Sequence, residues 1–438
     1  MSRKTSIHRM LTGVVGAATV LGLVAACGGN TAPGTPGGDD GKPSAGGEVT
    51  LEFMQWWEPE LPAGSFRALM DEFEEKNPGI KVELLSGPWS ATKEQLVAGA
   101  VAGTMPDVVG LDGSWLYDLV QQGSIASLTD LMTEFDYDAS NLAKEVQLDG
   151  TTYMIPVVNF VYPMFVNNEL LEEAGVAAPP ENRTEFLDAA KKISALGDNT
   201  SGWALPLSLE TGNGVQNDVM PWVWAGGGSM LDDAGKPDVE NADMVSGAEF
   251  VKELWDSGTV TPGAFTMKEP DKVEEFVAGR VGMMISSLAH VNMIRKENPD
   301  LDFTVTAVPA PDNFTGKRGI NDNSWGVGVS ESSDQKEAAF KLVEFLMSEE
   351  VNSELSTIAN GFPGNVNSVP DFSQSDPLFE EAFKIYQAGY PANQFVGLPV
   401  AEELMRIYAT ELQRALDGQA SIADALAATQ EQWTAEFK

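Results

Sequence analysis

Apolar residues at the start of the folded region follow two spacings in alternation, and this restricts the fold more than any other feature of the sequence. Val49, Leu51 and Phe53 alternate with polar residues, which is the period of a β-strand. Residues 66–73 carry apolar side chains three and four positions apart, as a helix face does, and residues 80–84 alternate again. Strand, helix and strand in this order predict parallel strands joined by a right-handed crossover. The sequence therefore predicts an α/β protein.

The same two patterns continue toward the C-terminus without an internal repeat or a long linker. Strand patterns lie at 108–109, 153–158, 164–166 and 281–285, and helix patterns at 93–102, 168–175, 186–196, 247–255, 272–278, 333–347 and from 421 onward. A chain of 438 residues is expected to form two or three domains at about 150 residues each. Because no single linker divides the chain, we expect two lobes joined by several crossings.

Charge and rare residue types exclude several classes of function. The chain has 65 acidic and 27 basic residues, and its net charge of −38 would repel the phosphate backbone of a nucleic acid. One cysteine allows no intrachain disulfide. With two histidines in addition, the common nucleophile–base pairs and transition-metal sites cannot be built. We therefore expect no metal, no cofactor and no nucleic-acid partner.

Catalytic and phosphate-binding motifs are also missing. The sequence contains no HExxH, CxxC, GxSxG or GxxxxGK[ST] motif, and the acidic stretch 231–243 does not match an EF-hand loop. Hydrolysis of a glycosidic bond by two carboxylates stays open, because 65 acidic residues offer many pairs and none stands out. These absences favour a binding protein over an enzyme.

The N-terminus is typical of an exported lipoprotein, and we predict a signal peptide at residues 1–26. Three basic residues among the first nine precede an uncharged stretch, residues 10–26, of the length of a signal-peptide core. The stretch ends at Cys27 and resembles a bacterial lipoprotein signal, in which the cysteine is lipidated and becomes the new N-terminus. A buried helix or a retained anchor is the alternative, although the stretch is short for spanning a bilayer. Residues 27–47, rich in Gly and Pro, are expected to form a flexible tether before Glu48.

Tryptophan is the residue type that most suggests a ligand. The chain has ten tryptophans, and most lie near predicted turns or strand ends, where open parallel sheets bind their ligands. A flat indole packs well against the C–H face of a sugar ring, while Asp, Asn and Gln bond the hydroxyls. The alternative for each tryptophan is that it fills the core. That role is expected for Trp203, in a strand pattern, and for Trp433, on a helix stripe.

A set of segments in fixed order carries a resemblance to a known family. They are FMQWWEP, MPDVVGLDGSWLYDLVQQGSIASL, DGTTYMIPVVNFVYPMFVNNELLEEAGV, FVAGRVGMMIS and WGVGVSESSDQKEAAFKLVEFLMSEEV. These segments follow a lipoprotein signal. In this order they resemble the extracellular solute-binding proteins of bacterial ABC importers, in particular the sugar-binding group similar to maltose-binding protein. The resemblance covers nearly all of residues 48–438. It implies a two-lobed α/β fold, each lobe a mainly parallel sheet flanked by helices, with the ligand cleft between the lobes.

The resemblance also implies where the lobes and the site lie. Lobe 1 is expected to comprise residues 48–157 and 281–325, and lobe 2 residues 158–280 and 326–438. The positions that match the family's cleft loops, and are therefore predicted to bind the ligand, are Trp56, Trp57, Glu58, Trp89, Asp112, Ser114, Trp115, Asn159, Tyr162, Trp222, Trp224, Ser287, His290, Asn323 and Trp325. For His290 the alternative is a structural role, which is the usual one for a lone histidine.

The function implied by the resemblance is capture of a carbohydrate by lobe closure and its delivery to the transmembrane subunits of an ABC permease, which a separate ATPase drives. The protein is expected to be a monomer, lipid-anchored on the outer, extracellular face of the cytoplasmic membrane. The large set of tryptophans predicts an oligosaccharide. Two alternatives stay open: a secreted carbohydrate-active enzyme that uses a carboxylate pair, and the same fold binding a polyamine or a peptide.

Overall fold

The computed structural model describes residues 48–197 and 199–437. The predicted signal peptide, the predicted lipidation site Cys27 and the predicted tether lie outside these residues. Within the described part of the chain, no helix combines the length and the apolar character that crossing a membrane requires.

Strands and helices alternate along most of the described chain. The strands are β1 (Val49–Gln55), β2 (Ile80–Ser86), β3 (Val108–Leu111), β4 (Val146–Leu148), β5 (Thr151–Val161), β6 (Met164–Asn167), β7 (Ser201–Trp203), β8 (Val281–Ile285), β9 (Phe303–Thr306), β10 (Gly319–Ile320), β11 (Asp322–Val329), β12 (Phe362–Pro363) and β13 (Tyr390–Pro391). The α-helices are α1 (Ser65–Lys76), α2 (Trp89–Ala102), α3 (Gly113–Gln121), α4 (Leu128–Glu134), α5 (Asn168–Glu173), α6 (Arg183–Ser194), α7 (Pro221–Trp224), α8 (Ala242–Asp256), α9 (Glu269–Val277), α10 (His290–Glu297), α11 (Lys336–Leu346), α12 (Glu349–Ala359), α13 (Leu378–Ala388), α14 (Ala401–Leu416) and α15 (Ile422–Glu436).

The larger sheet contains the predicted strand–helix–strand unit. Its strand order is β12-β5-β11-β3-β1-β2, with β4 paired to β5. β1 pairs in parallel with β2, from Val49 opposite Ile80 to Gln55 opposite Ser86, and in parallel with β3 on its other side. The predicted unit and the α/β class are confirmed. However, β11 is antiparallel to β3 and β5, and β12 is antiparallel to β5, so the prediction of a mainly parallel sheet is wrong.

The smaller sheet is also mixed, with the strand order β7-β8-β6-β9. β6 is antiparallel to β8 and to β9, whereas β7 and β8 are parallel. Alternate side chains of β6 enter different cores, since Met164 and Val166 belong to one buried group and Phe165 to another. Trp203 and Trp433 are fully buried in the first of these groups, as predicted.

The chain crosses between the two sheets at neighbouring points. β5 of the larger sheet ends at Val161, and β6 of the smaller sheet begins at Met164. β11 carries the chain back into the larger sheet beside β5, and Tyr162 N–H donates to Asn321 O, 3.0 Å away, where the two crossings meet. β5 leaves the larger sheet at the end where β11 enters it. The two neighbouring strands therefore run antiparallel.

The predicted lobe boundaries need correction in two places. Residues 281–325 are expected in lobe 1, yet β8 and β9 pair within the smaller sheet. Residues 326–438 are expected in lobe 2, yet the end of β11 pairs with β3, and α11 and α12 pack in the core of the larger sheet. The reason is that β11, rather than β8, returns the chain to the larger sheet. We therefore propose to assign the lobes by sheet. Lobe 1 is then residues 48–161 and 322–365, and lobe 2 is residues 162–197, 199–321 and 366–437.

Candidate functional site

Tryptophans from the carboxyl ends of neighbouring strands lie together at one edge of the larger sheet. Trp56 follows β1, Trp89 begins α2 after β2, and Trp115 lies in the first turn of α3 after β3. The ring centroids of Trp89 and Trp115 are 5.0 Å apart, and those of Trp115 and Trp56 are 5.2 Å apart. Because these strands are parallel, their carboxyl ends share one edge and bring together residues that are distant in sequence. We call these residues, with Trp57 and Trp325, the tryptophan row.

Trp57 and Trp325 extend the row toward the crossing strands. The ring of Trp57 lies 6.2 Å from that of Trp56 and stacks on Trp325 at 5.6 Å, with 8° between the planes. Trp325 in turn lies 4.9 Å from Phe160 on β5. Trp89 is half-buried and Trp56 and Trp325 keep a small exposed edge, whereas Trp57 and Trp115 are fully buried. Trp57 and Trp115 therefore support the row from the core, which corrects their predicted roles as ligand contacts.

Asp112 holds Trp89 in place. It caps α3, since its Oδ1 accepts hydrogen bonds from Ser114 N–H at 2.9 Å and from Ser114 Oγ–H at 2.7 Å. Its Oδ2 accepts a hydrogen bond from Trp89 Nε1–H at 3.1 Å. Burial raises the pKa of Asp112, and these hydrogen bonds to the carboxylate offset part of the increase. Asp112 and Ser114, both predicted site residues, thus fix the half-buried ring of Trp89 at the end of the row.

A short 3₁₀ turn after β1 carries two carboxyl groups. Glu58, a predicted site residue, accepts a hydrogen bond from Ser86 Oγ at the end of β2. Glu60, which was not predicted, lies next to the side chain of Trp325. The residue is exposed, but the surrounding protein desolvates its carboxyl group and raises the pKa to about 7, against the opposing effect of Trp325. Glu60 therefore adds an unusual carboxyl group to the edge of the row.

Tyr162, at the first crossing, lies within the field of carboxyl groups from both lobes. Burial raises its pKa well above the ordinary value. The charges of Glu269, Asp112 and Glu60 raise the pKa further, whereas the side chain of Asn323 offsets part of the increase. The phenol therefore stays protonated. The predicted residues Tyr162, Asp112 and Asn323 therefore lie near Glu60 and Glu269, two carboxyl groups that were not predicted.

Asn159 is predicted to bind the ligand but is bonded within the sheet. Its Oδ1 accepts a hydrogen bond from Ser324 Oγ at 2.8 Å, and its Nδ2 donates to Pro363 O at 3.3 Å. The residue is 6% exposed. Because its amide joins β5 to β11 and β12, Asn159 is corrected to a sheet-stabilising residue.

A buried polar network links lobe 2 to the crossings, and it was not predicted. At its centre is a π turn, Val215–Val219, in which Asn217 is 3% exposed. Asn217 Nδ2 donates to Glu269 Oε2 at 3.3 Å, and its Oδ1 accepts from Asn321 Nδ2 at 3.0 Å. Buried polar groups need such mutual bonds, and π turns are frequent at functional sites. A sequence signal was present, because the run Gln-Asn-Asp interrupts an otherwise apolar segment.

Lys272 and Asp218 form an ion pair whose side chains have no exposed surface. The ammonium lies 2.9 and 3.2 Å from the two carboxylate oxygens of Asp218 and donates to Ile285 O at 2.6 Å. Glu269 Oε1 is 3.4 Å from the same ammonium. Burial alone would lower the pKa of Lys272, but the carboxylates of Asp218 and Glu269 outweigh it and raise the pKa. The charged pair fixes the π turn to α9, the helix that begins with Glu269.

His290 belongs to the same network, and Ser287 lies beside it. His290 Nδ1 is 2.8 Å from Ser286 Oγ and 3.9 Å from Glu269 Oε1. Burial lowers the pKa of His290 more than Glu269 raises it, so the imidazole is neutral at pH 7. Ser287 is buried, and its Oγ accepts a hydrogen bond from Ala289 N–H at 3.2 Å. Ser287 therefore stabilises the turn before α10, which corrects its predicted role.

Trp222 and Trp224 lie in the core of lobe 2, which corrects their prediction as cleft residues. Trp222 has no exposed surface, and its ring lies 4.8 Å from both Phe186 and Phe250. Trp224 is 1% exposed, and its Nε1 donates to Gln394 Oε1 at 3.1 Å. The reason is that these residues belong to α7, a helical turn packed against α8, rather than to a loop at the cleft.

The residues that do meet near Tyr162 define what this region can bind. They offer indole rings, carboxyl groups, amides and a phenol, a set suited to a ligand that has both apolar faces and hydroxyl groups. Among residues 48–197 and 199–437, no three His, Cys, Asp or Glu side chains group in a way that could hold a metal ion.

Comparison with known proteins supplies the family. A sequence profile of the bacterial extracellular solute-binding proteins matches residues 68–381. A binding protein of Brucella abortus is 31% identical over 306 residues, which are 68% of this chain and 72% of that protein. The diacetylchitobiose binding protein DasA of Streptomyces coelicolor is 25% identical over 385 residues, 86% of each chain.

The fold is similar to that of a solved solute-binding protein. An ABC transporter solute-binding protein of Thermotoga lettingae, bound with α-D-tagatose, has a TM-score of 0.75 and 22% sequence identity. The match covers 89% of this chain and 100% of that one. At this identity the likeness establishes the two-lobed fold alone. Because the family profile spans most of the described residues, the chain belongs to the bacterial extracellular solute-binding proteins.

Proposed function

We propose that this chain is the lipid-anchored substrate-binding protein of an ABC importer and that it captures an oligosaccharide between its lobes. The observation that carries the proposal is the tryptophan row at the carboxyl ends of β1, β2 and β3, next to Glu60 and Tyr162. Indole rings give a sugar an apolar contact surface, and the carboxyl and phenol oxygens bond its hydroxyls.

Capture by lobe closure is supported by the position of Tyr162. Beside it, Asn323 Nδ2 of lobe 1 donates to Asn217 Oδ1 of lobe 2 at 3.5 Å, and the charges of Glu269 of lobe 2 and of Asp112 and Glu60 of lobe 1 all raise the pKa of the phenol, so groups of both lobes face one region. A ligand that contacts both lobes stabilises the arrangement in which they are close. The neighbouring crossings at Tyr162 and Asn321 are short segments of the kind that serve as hinges.

The ligand class and the partners follow from the relatives and from what this sequence lacks. The relative from S. coelicolor is named for diacetylchitobiose, and the structure from T. lettingae holds a sugar. We propose that a monomer anchored through Cys27 on the outer face of the cytoplasmic membrane delivers its sugar to permease subunits. A separate ATPase is needed, because the chain has no nucleotide-binding motif.

A thermal-unfolding screen against mono- and oligosaccharides tests this function. A ligand at 100 times its dissociation constant stabilises a protein by about 2.7 kcal/mol. We expect an oligosaccharide to raise the unfolding temperature and to be recovered unchanged after incubation. Shorter sugar products would instead identify an enzyme. A shift with spermidine and with no saccharide would favour a polyamine, the second candidate, which the carboxyl groups of Glu60, Asp112 and Glu269 support.

A further inference from the structure

We propose that Glu269 is a ligand-binding carboxylate of lobe 2 and that it makes the site select neutral saccharides over anionic ones. This inference rests on the proposed function, because it assumes that a saccharide binds between the lobes. Glu269 is the first residue of α9, and its side chain is 14% exposed. It was not predicted from the sequence.

One carboxylate oxygen of Glu269 is satisfied and the other is not. Oε2 accepts a hydrogen bond from Asn217 Nδ2 at 3.3 Å. Oε1 is buried and accepts no hydrogen bond from the described residues. Lys272 is 3.4 Å from it, but the ammonium directs its bonds to Asp218 and to the carbonyl of Ile285. A buried acceptor without a donor is unfavourable, and a ligand hydroxyl that donates to it removes that cost.

A second acceptor in the same network also lacks a donor. Asn321 is 1% exposed, and its Nδ2 donates to Asn217 Oδ1 at 3.0 Å, while its own Oδ1 accepts nothing from the described residues. Asn217 thus connects Glu269 and Asn321, each with one unpaired acceptor. Asn321 also lies at the crossing, where its carbonyl accepts from Tyr162 N–H. The network therefore favours a ligand that supplies hydrogen-bond donors.

The charges around Glu269 determine which ligands are rejected. The carboxyl groups of Asp218 and Glu269 lie 2.9 and 3.4 Å from the single ammonium of Lys272, so one cation serves two carboxyl groups. His290, 3.9 Å from Glu269, is neutral because burial lowers its pKa. A uronate placed near Tyr162 would bring a second negative charge into a partly desolvated region, and like charges in such a place repel strongly.

The test compares Glu269→Gln with Glu274→Gln, which removes the same charge from an exposed position of the same helix. Cellobiose, maltose, galactobiose and diacetylchitobiose are titrated calorimetrically, and the first three are paired with derivatives oxidised to the uronate at C6. We expect the wild type to bind a neutral probe at least tenfold more tightly than its uronate. Glu269→Gln should weaken binding of the neutral probe by about ten- to a hundredfold, because one charge-assisted hydrogen bond is lost. It should also reduce the ratio of the affinity for the neutral probe to the affinity for its uronate, because the repelling charge is removed. Glu274→Gln should change neither quantity.

The remaining outcomes separate this inference from the proposed function. If Glu269→Gln keeps the wild-type affinity and the wild-type ratio, the inference is overturned while the function stands. If the wild type binds neither these probes nor any saccharide of the thermal-unfolding screen, the function fails and the inference fails with it. Glu269→Asp keeps the charge on a side chain that is one methylene shorter. It should bind the neutral probe more weakly and still discriminate against the uronate. Should Glu269→Gln not fold, an unchanged affinity of Glu269→Asp overturns the inference.

Discussion

The indole of Trp325 stacks on that of Trp57, with the ring centroids 5.6 Å apart and 8° between the ring planes. This contact joins β11, which returns from lobe 2, to the turn that follows β1. The carboxyl group of Glu60, in the same turn, lies next to the side chain of Trp325. The tryptophan row is therefore connected directly to a strand through which the chain crosses between the lobes. A ligand that binds at the row can in this way favour one arrangement of the lobes over another.

The pKa of Glu60 predicts that stability falls as pH rises. Desolvation by the surrounding protein raises the pKa to about 7 in the folded protein, from an ordinary value of 4.5, so between these values the folded state binds more protons than the unfolded chain. The contribution of Glu60 to the free energy of unfolding is therefore complete below pH 4.5, the pKa in the unfolded chain. It is lost as the pH rises through about 7, the pKa in the folded protein. We expect Glu60→Gln to reduce the decline, measured by urea unfolding at several pH values. Glu83→Gln, at an exposed position of β2, is the control that should keep it.

Trp89→Ala is expected to weaken saccharide binding with a small effect on stability, because Trp89 is half-buried at the end of the row. Burying a large apolar side chain contributes about 1.5–3 kcal/mol, which predicts about ten- to a hundredfold weaker binding when the contact is lost. Trp222→Ala is the matched comparison in the core. It should lower the free energy of unfolding by about 3–5 kcal/mol and leave the affinity of the folded protein unchanged. Calorimetric titration and urea unfolding measure the affinity and the stability of both variants. Wild-type affinity of Trp89→Ala would contradict its role as a ligand contact, and wild-type stability of Trp222→Ala would contradict its role in the core.

Lys272→Met should be strongly destabilising, because it leaves the carboxylate of Asp218 buried without its partner. Breaking a buried pair in this way costs about 3–5 kcal/mol of unfolding free energy. The double variant Lys272→Met/Asp218→Leu should recover part of the loss, since the fully buried charge of Asp218 is removed with its partner, while only the partly exposed Glu269 loses its cation. The control is Lys252→Met, which breaks the exposed pair with Asp256 and should cost about 1 kcal/mol or less. Equal effects of the two single variants in urea unfolding would contradict the assigned role.

Cys27→Ser tests the proposed anchor. The thiol is the atom that the lipoprotein signal presents for lipidation, so the serine variant should be released into the medium or remain unprocessed. Cell fractionation, with the N-terminal mass of each fraction, checks this against the wild type. Processed Cys27→Ser protein that still fractionates with membranes would argue against lipid anchoring.

The fold was predictable where the signal is local. The unit from Val49 to Ser86 is encoded by apolar spacing over neighbouring residues, and its parallel strands follow from the crossover. The relative direction of β5 and β11 depends instead on how the chain passes between the two sheets. The spacing of apolar residues does not determine that path. The same lack of information explains why β8 was assigned to the wrong lobe.

The candidate site was predictable where strand ends place it. Trp56, Trp89 and Trp115 follow parallel strands, so their proximity could be expected before the structure. Trp222 and Trp224 precede a run of glycines that suggests a loop, whereas α7 buries both rings. Glu60 could not be singled out among 65 acidic residues in the sequence. Its pKa is unusual because residues from distant segments of the chain desolvate the carboxyl group, and sequence spacing does not show which segments those are.

Calorimetric titration of the wild-type protein with oligosaccharides, followed by chromatography of the same mixture, tests most directly the claim that this chain captures a carbohydrate reversibly. We expect saturable binding with one saccharide bound per chain, and recovery of that saccharide unchanged. Titrations that show no heat of binding with any mono- or oligosaccharide, or chromatograms that show the sugar converted to products, would contradict it.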